Sequence, residues 1–457
     1  MPTTVLNRFV ERCPAAVMVR ATLEQLLRPE RLDQIFEENR QRQYVKQLLF
    51  SQIVAVMVAV ATRVHSSVRA AYLDSKEPLG VSTTALYDKL NHLELETSAA
   101  MVRETAADAG KVIDAMSAAK QEVLPGLEVY YLDGNHLAAT EHRLAELRRT
   151  RQGPLPGQSL ALLDAQRELI VEWVPCEDGH AQERSLLPEL LERIRARMVI
   201  VADRNFCTTG FLFGLVACAA FFVIRQHAST LTYRLRGRRR RVGRVATGMV
   251  YEQGMELHNG GATLAVRRIT IILDRPTESG DTEIHVLTNL TSEQATALQV
   301  AETYRTRWTV EGAFQTLTDV LRCEVETLGY PKAALFSFAT AVLAYNAYAV
   351  VKASLRAAHG AVVIREKLSD YHFMNHVAKA YVGMDMAVAE EDWEPYQKMS
   401  VEQFAEVLLE LAHRVKLTRY PKTKRGPKKP QPRKTSGRRN HHSSTARVLA
   451  KRRKITP

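Results

Sequence analysis

Apolar positions recur along this chain with two different periods, and the places where the period changes outline its organisation. Over residues 1–120, stretches rich in Ala, Leu, Val and Glu repeat at helical spacing with few strand signals, which predicts an all-helical region. Near its end DSKEPLG breaks one helix and VSTTALYDKLNHLE starts another, with Ser82 at the capping position. The pattern then shortens. LEVYYLD (127–133), two runs within SLALLDAQRELIVEWVPC (159–176), MVIVAD (198–203) and AFFVIRQ (220–226) predict five strands. AQERSLLPELLERIRAR precedes the fourth strand and TTGFLFGLVACAA follows it, and both read as helices.

Three strands, helix, strand, helix, strand is the order of an RNase H-like mixed sheet, so the expected fold class is mixed α/β. Such open sheets place their sites at the carboxyl ends of strands. Residues 229–289 alternate through ATLAVRRITIILD and TEIHVLTNL with several Gly turns, which predicts a β-rich insertion. From SEQATALQV to about residue 415 the helical period returns, interrupted near Gly360 and Tyr371. The division expected is therefore 1–120 helical, 121–228 and 290–370 as two parts of one sheet-based catalytic domain around the insertion 229–289, 371–421 C-terminal helices, and 422–457 a tail. That tail mixes Pro, Gly, Ser and basic residues without an apolar period, and is expected to be disordered.

Charge sharpens this picture. Hydrophobic residues make up 46% of the chain and charged residues 25%, an ordinary globular balance, yet the net charge is +13. The tail holds 14 Lys and Arg and no acid, so the rest of the chain sums to −1. Arg234, Arg236, Arg238, Arg239, Arg240, Arg241 and Arg244 form a second basic element, expected to be a loop, and without them the body is at −8. Segregated positive charge of this kind suits a phosphate backbone, which binds through counterion release. The helix pair around DSKEPLG, with Thr84, Tyr87, Lys89 and Asn91 on the second helix, suits reading a DNA groove as well as plain packing.

Other classes recede. Five scattered cysteines with no C-x-x-C spacing argue against a disulfide framework or a zinc site and suit a reducing cytosol. The start, MPTTVLNRFVERCPAAV, shows no charged-then-apolar signal pattern. The apolar runs 48–62 and 211–224 are shorter than the ~20 residues a bilayer requires, and 333–351 is interrupted by Ser, Thr, Tyr and Asn, so buried core helices are expected. No lipid anchor or membrane-surface helix adjoins the basic tail.

Candidate chemistry lies at two strand ends and on one helix. Asp133 in YYLDGN and Asp203 in VIVADRN close apolar strands, and each would project from the carboxyl edge of a sheet. Two carboxylates so placed repel unless a cation neutralises them, and hard Mg²⁺ or Mn²⁺ is the matching ion. Either residue alone is equally a turn starter. The helix AETYRTRWTVEGAFQTLTDVLR then sets Tyr304, Arg307, Glu311 and Thr318 at i, i+3, i+7 and i+14, within roughly a 60° sector of one face.

This spacing resembles the Y-x2-R-x3-E-x6-K signature of the family-four insertion-sequence transposases, cut-and-paste DDE enzymes with an RNase H-like domain. YLDGNHL, VADRNF, VLTNLT and YRTRWTVEGAF carry the resemblance over roughly residues 120–350, with Asp133 and Asp203 separated by 70 positions and Asp203 and Glu311 by 108. It implies Asp133, Asp203 and Glu311 as the catalytic, metal-binding triad for two Mg²⁺ or Mn²⁺ ions, with Tyr304 and Arg307 contacting DNA phosphate. It also implies double-stranded DNA partners (terminal inverted repeats and target), a homodimer in the synaptic complex, no small-molecule substrate, and a bacterial cytosolic setting. Thr318 stands where the signature has lysine, and Arg322, four residues on, is a replacement on the same face. Trp308 offers a ring for base stacking, and Arg238, Arg239, Arg240 and Arg241 a basic DNA contact. The hairpin-forming members use a tryptophan before the L-T motif, and TEIHVLTNL has none, so hairpin formation is not implied. The rival readings are a nuclease or resolvase of the same fold and a DNA-binding protein derived from a transposase.

Overall fold

Seven helices lead the chain in the computed structural model, which describes residues 4–43, 47–75, 79–277, 280–423 and 442–455. They are α1 (Thr4–Arg12), α2 (Pro14–Leu26), α3 (Pro29–Asn39), α4 (Phe50–Ala61), α5 (Val68–Leu73), α6 (Thr83–His92) and α7 (Leu95–Ala115). Ser82 caps α6 as its sequence predicts, its hydroxyl accepting the Ala85 N–H at 3.2 Å. Of the turn before it, residues 76–78 lie outside the described residues.

The strands follow: β1 (Glu128–His136), β2 (Gly153–Leu155), β3 (Gln158–Asp164), β4 (Ile170–Cys176), then α8 (Leu187–Leu191), β5 (Met198–Ala202), α9 (Thr209–Ala217) and β6 (Phe221–Arg225). β7 (Thr232–Val245), β8 (Gly248–Asn259), β9 (Ala262–Leu273) and β10 (Glu283–Thr288) complete them before the chain turns helical again. Nine of these strands form one mixed sheet in the order β4-β3-β1-β5-β6-β10-β9-β8-β7. β1, β5 and β6 run parallel at its centre, and the outer pairs are antiparallel. The β-rich segment is thus an extension of the sheet, joined to it where β10 pairs with β6.

Alternation along each strand sends side chains to two cores. Val129, Tyr131, Val199, Val201 and Val223 face one, and Tyr130, Leu132, Ile200, Ala202 and Phe222 face the other, where Leu187, Leu190, Phe211 and Leu215 of α8 and α9 cover the sheet. Parallel strands covered on both faces read as continuous apolar runs, which is why MVIVA and FFVI look as they do.

The first face is covered by α10 (Ala297–Arg305), α11 (Thr309–Asp319), the 29-residue α12 (Pro331–His359) and the N-terminal helices, of which α7 packs directly on β4. α13 (Ala361–Lys367), α14 (Asp370–Ala387), α15 (Glu394–Lys398) and α16 (Val401–Arg414) complete the helical set. α12 is apolar and long enough to cross a membrane, but its apolar stretch is wholly buried in the protein, as a core helix would be.

Three expectations change. The Arg234–Arg244 segment is not a loop but most of the edge strand β7, paired to β8 from Thr232 to Val245. Side-chain alternation was masked there by an unbroken arginine run. The tail is not wholly disordered: β11 (His442–Ser444) lies parallel to β2, and α17 (Thr445–Ile455) follows, with Ser444 and Thr445 buried and Arg447 Nε paired to Asp178 at 2.5 Å. A three-residue strand stabilised by a distant partner leaves no local period. Residues 424–441 of the tail lie outside the described residues. The third change concerns the helix carrying Glu311.

Candidate active site

The last paired residues of the β1–β5 ladder are Leu132 and Ala202. Asp133 and Asp203 are the next residues on two adjacent parallel strands, whose backbones run about 4.8 Å apart. Asp133 stays within β1, still paired to β3, and its Oδ1 accepts the Gly134 N–H at 2.9 Å, whereas Asp203 Oδ1 accepts the Arg204 N–H at 2.6 Å and caps a 3₁₀ turn over Arg204–Phe206. The turn role and the site role therefore coincide at Asp203 alone.

Tyr304 to Thr318 do not lie on one continuous helix. α10 ends at Arg305, a 3₁₀ turn spans Thr306–Trp308, and α11 begins at Thr309. Thr306 anchors the turn to the sheet, its hydroxyl 2.8 Å from the Tyr131 hydroxyl. This drives Arg307 inward until it is 5% exposed. Its Nη1 lies 3.5 Å from Asp133 Oδ2 and its Nη2 2.9 Å from Glu311 Oε1, so a strand-end carboxylate and the helix carboxylate meet on one guanidinium.

The electrostatics are those of a crowded anionic edge. Burial pushes the Asp133 carboxyl up to about 6, with Glu311 and Glu183 adding to the rise and Arg307 and the Gly134 amide opposing it. Burial would lower the Arg307 value, but Tyr304, Asp203, Asp133 and Glu311 outweigh it and the net shift is upward. Tyr304, 7% exposed, is pushed up to about 12 by burial and then by Asp203. Among the described residues no three His, Cys, Asp or Glu side chains are gathered closely enough to hold a metal ion, because Arg307 stands among the carboxylates. The donors nevertheless fit a hard divalent cation: all are carboxylate oxygens, and Asp133 is held in a state that positive charge would relieve. Arg307 Nε is buried without a hydrogen-bond partner among the described residues.

Residues 128–347 match the family described as Transposase DDE domain. Over this segment, a little under half of the chain, the protein is similar to a transposase DDE domain. No curated protein matches the chain. The DDE domain takes in the whole nine-stranded sheet and ends within α12, so Asp133, Asp203, Tyr304, Arg307 and Glu311 all belong to it. A domain of this family implies transposase activity, hence a DNA-processing enzyme that binds DNA, and the family generally uses divalent metals.

Of the other sequence candidates in this segment, Trp308 adjoins the centre and the rest lie apart from it. Thr318 is exposed and its hydroxyl turns back to the Phe314 and Gln315 carbonyls, both at 3.2 Å. Arg322 does not share its face, because α11 ends at Asp319. The Arg322 N–H donates to Ala61 O at 2.8 Å and its guanidinium to Ser66 O, tying the segment to the N-terminal helices. Trp308 is 64% exposed, with the Arg307 guanidinium 4.9 Å from its ring centre. On β7, Arg236, Arg239, Arg240 and Arg244 pair with Glu256, Glu283, Glu252 and Asp274, whereas no such pair forms at Arg234, Arg238 or Arg241 among the described residues. The fold also brings Glu183 and Asn205 beside the aspartates. The one trace of this in the sequence is the glycine of YLDGN, which only a close neighbour requires.

Proposed function

We propose that this chain is a cut-and-paste transposase of the family-four insertion-sequence type. It binds the terminal inverted repeats of a transposon as a dimer in the bacterial cytosol, cleaves at the transposon end, and joins the freed 3′-hydroxyl to target DNA. The observation that carries this reading is the pairing of Asp133 and Asp203 at register-matched ends of neighbouring parallel strands, with Glu311 drawn to the same guanidinium as Asp133.

Asp133, Asp203 and Glu311 would hold two Mg²⁺ or Mn²⁺ ions. When bound, such ions lower the pKa of an attacking water or hydroxyl and stabilise the departing 3′ oxygen. The chain's own groups do the rest. Arg307 and the Tyr304 hydroxyl hold the scissile phosphate against the carboxylate edge. The exposed Trp308 ring stacks on a base beside the cut. Arg238 and Arg241 on β7 contact flanking phosphates.

The deciding experiment compares Asp133→Asn, Asp203→Asn and Glu311→Gln with the unaltered protein on a duplex carrying the terminal repeat. Each variant should retain DNA binding and lose Mg²⁺-dependent cleavage and strand joining by at least about 10³-fold, the scale of losing an essential group. Normal cutting by any of the three removes the assignment. Cleavage without joining by the unaltered chain identifies a nuclease or resolvase in its place, and DNA binding without cleavage a domesticated binding protein.

A further inference from the structure

Asp133 and Asp203 stand on separate segments, and the backbone ladder that relates them ends one residue earlier, at Leu132 and Ala202. Beyond that point Asp133 continues along β1 while Asp203 enters the 3₁₀ turn over Arg204–Phe206. A third segment spans the gap. Glu183 opens the 3₁₀ turn Glu183–Leu186 that leads into α8, and it lies so close over Gly134 that a Cβ there would strike its carboxylate. The same carboxylate accepts the side-chain amide N–H of Asn205. Arg184 grips that residue too, its Nε donating to the Asn205 backbone oxygen at 2.7 Å and reaching the side-chain oxygen at 3.3 Å. His136 Nδ1 stands 3.8 Å from Glu183 on the β1 side.

The approach is from behind. Side chains alternate along β1, so Gly134 and His136 share the face of Tyr130 and Leu132, opposite the face on which Asp133 meets Arg307. Glu183 is thus placed to hold the strand bearing Asp133 and the turn bearing Asp203 together without entering the space between their carboxylates. Gly134 is the residue that allows it, since a larger side chain would displace the carboxylate from Asn205.

We infer that Glu183 is a positioning residue of the cleavage centre: through Asn205 it fixes the turn bearing Asp203 against the strand bearing Asp133, and so sets the separation of two carboxylates that share a divalent cation. This rests on the reading of those aspartates as the cation site. Residues that orient metal ligands from outside the coordination sphere commonly change metal affinity 10–100-fold when removed. The oxygen of a glutamine at 183 can still accept the Asn205 amide proton, whereas alanine cannot.

Mn²⁺ binding to the full chain without DNA, followed by the electron paramagnetic resonance of free Mn²⁺, separates the possibilities. Glu183→Ala and Asn205→Ala should each bind Mn²⁺ about 10–100-fold more weakly, and Glu183→Gln should stay close to the unaltered protein. Melting curves of the metal-free variants check that they fold, and a role confined to the fold would lower the melting temperature while leaving Mn²⁺ affinity in place. Unchanged Mn²⁺ affinity in a folded Glu183→Ala or Asn205→Ala overturns the inference. So does a Glu183→Gln as weak as the alanine variant, because charge and not position would then be responsible. Asp133→Asn, measured in parallel, distinguishes the deeper failure: if it too binds Mn²⁺ normally, the aspartates are not the cation site and the functional reading falls together with the role of Glu183.

Discussion

At the scale of single residues, Asp133 links the chemistry of the site to the stability of the protein. Burial, with Glu311 and Glu183, pushes its carboxyl up to about 6 despite Arg307, whereas in an unfolded chain it titrates near about 3.9. The native state therefore holds this proton more tightly than the unfolded state. The stabilisation that follows is complete below about pH 4 and is lost as pH rises through about 6, a loss on the order of 1–3 kcal/mol. In metal-free protein the part of the melting temperature due to Asp133 should fall between pH 5 and pH 7. Scanning calorimetry of Asp133→Asn should show that decline removed, because the amide does not titrate. An identical pH slope in the variant and the unaltered chain would mean that another group is responsible. Mn²⁺ should restore the unaltered protein more at pH 7 than at pH 5, where a proton competes for the same oxygen.

At the scale of elements, legibility followed how local the cause of each element is. The five strands around the aspartates could be read because a short apolar run bounded by polar or turn residues carries its own signal, and Ser82 could be read because a cap acts within three residues. The 3₁₀ turn over Thr306–Trp308 could not, since it depends on Thr306 meeting Tyr131, 175 positions away. Arg307 was legible as part of a site but not as a buried ion pair, because the helical wheel assumed one continuous helix. The arginine run was legible as charge and not as strand β7. Pairing alters what that charge can do: four of its seven arginines form ion pairs and Arg234 stands opposite Glu256, so Arg238 and Arg241 are the ones that meet phosphate without giving up an ion pair found among the described residues. Each phosphate contact contributes about −0.9 to the slope of log affinity against log salt on duplex DNA. Replacing Arg238 and Arg241 together by Gln should flatten that slope by about 2, and replacing Arg236 alone should change it less than either of them. A slope unaffected by the double change, in filter binding between 50 and 200 mM salt, would remove β7 from the DNA interface.

At the scale of the whole molecule, the DDE domain does not stand apart from the helices around it. One continuous core runs from Leu6 in α1 to Tyr420, and α12 passes through it packed against α2, α4, α7 and α16 and against β4. The sheet that presents the aspartates is thus backed by helices that the family match does not cover. Asn346, 1% exposed, pins this arrangement: its Oδ1 accepts the Ile170 N–H and its Nδ2 donates to the Ile170 carbonyl, both at 2.9 Å. One side chain of α12 so completes the backbone hydrogen bonding of the first residue of β4. An Asn346→Leu change keeps the branched heavy-atom skeleton but takes these partners from the buried Ile170 N–H and carbonyl, at about 1–3 kcal/mol each. The loss of stability should therefore be about 2–5 kcal/mol, large for a substitution remote from the carboxylates. Trp173 reports on it directly, because it lies three residues along β4 and stacks on Phe338 of α12 with ring centres 6.0 Å apart. Urea unfolding followed by tryptophan fluorescence should show an earlier transition in the variant, while Mn²⁺ affinity measured at low urea stays unchanged because the segments bearing Asp133 and Asp203 are untouched. A transition at the same urea concentration would mean that Ile170 finds other partners, and that packing alone, without this hydrogen-bonded pin, joins the helices to the sheet.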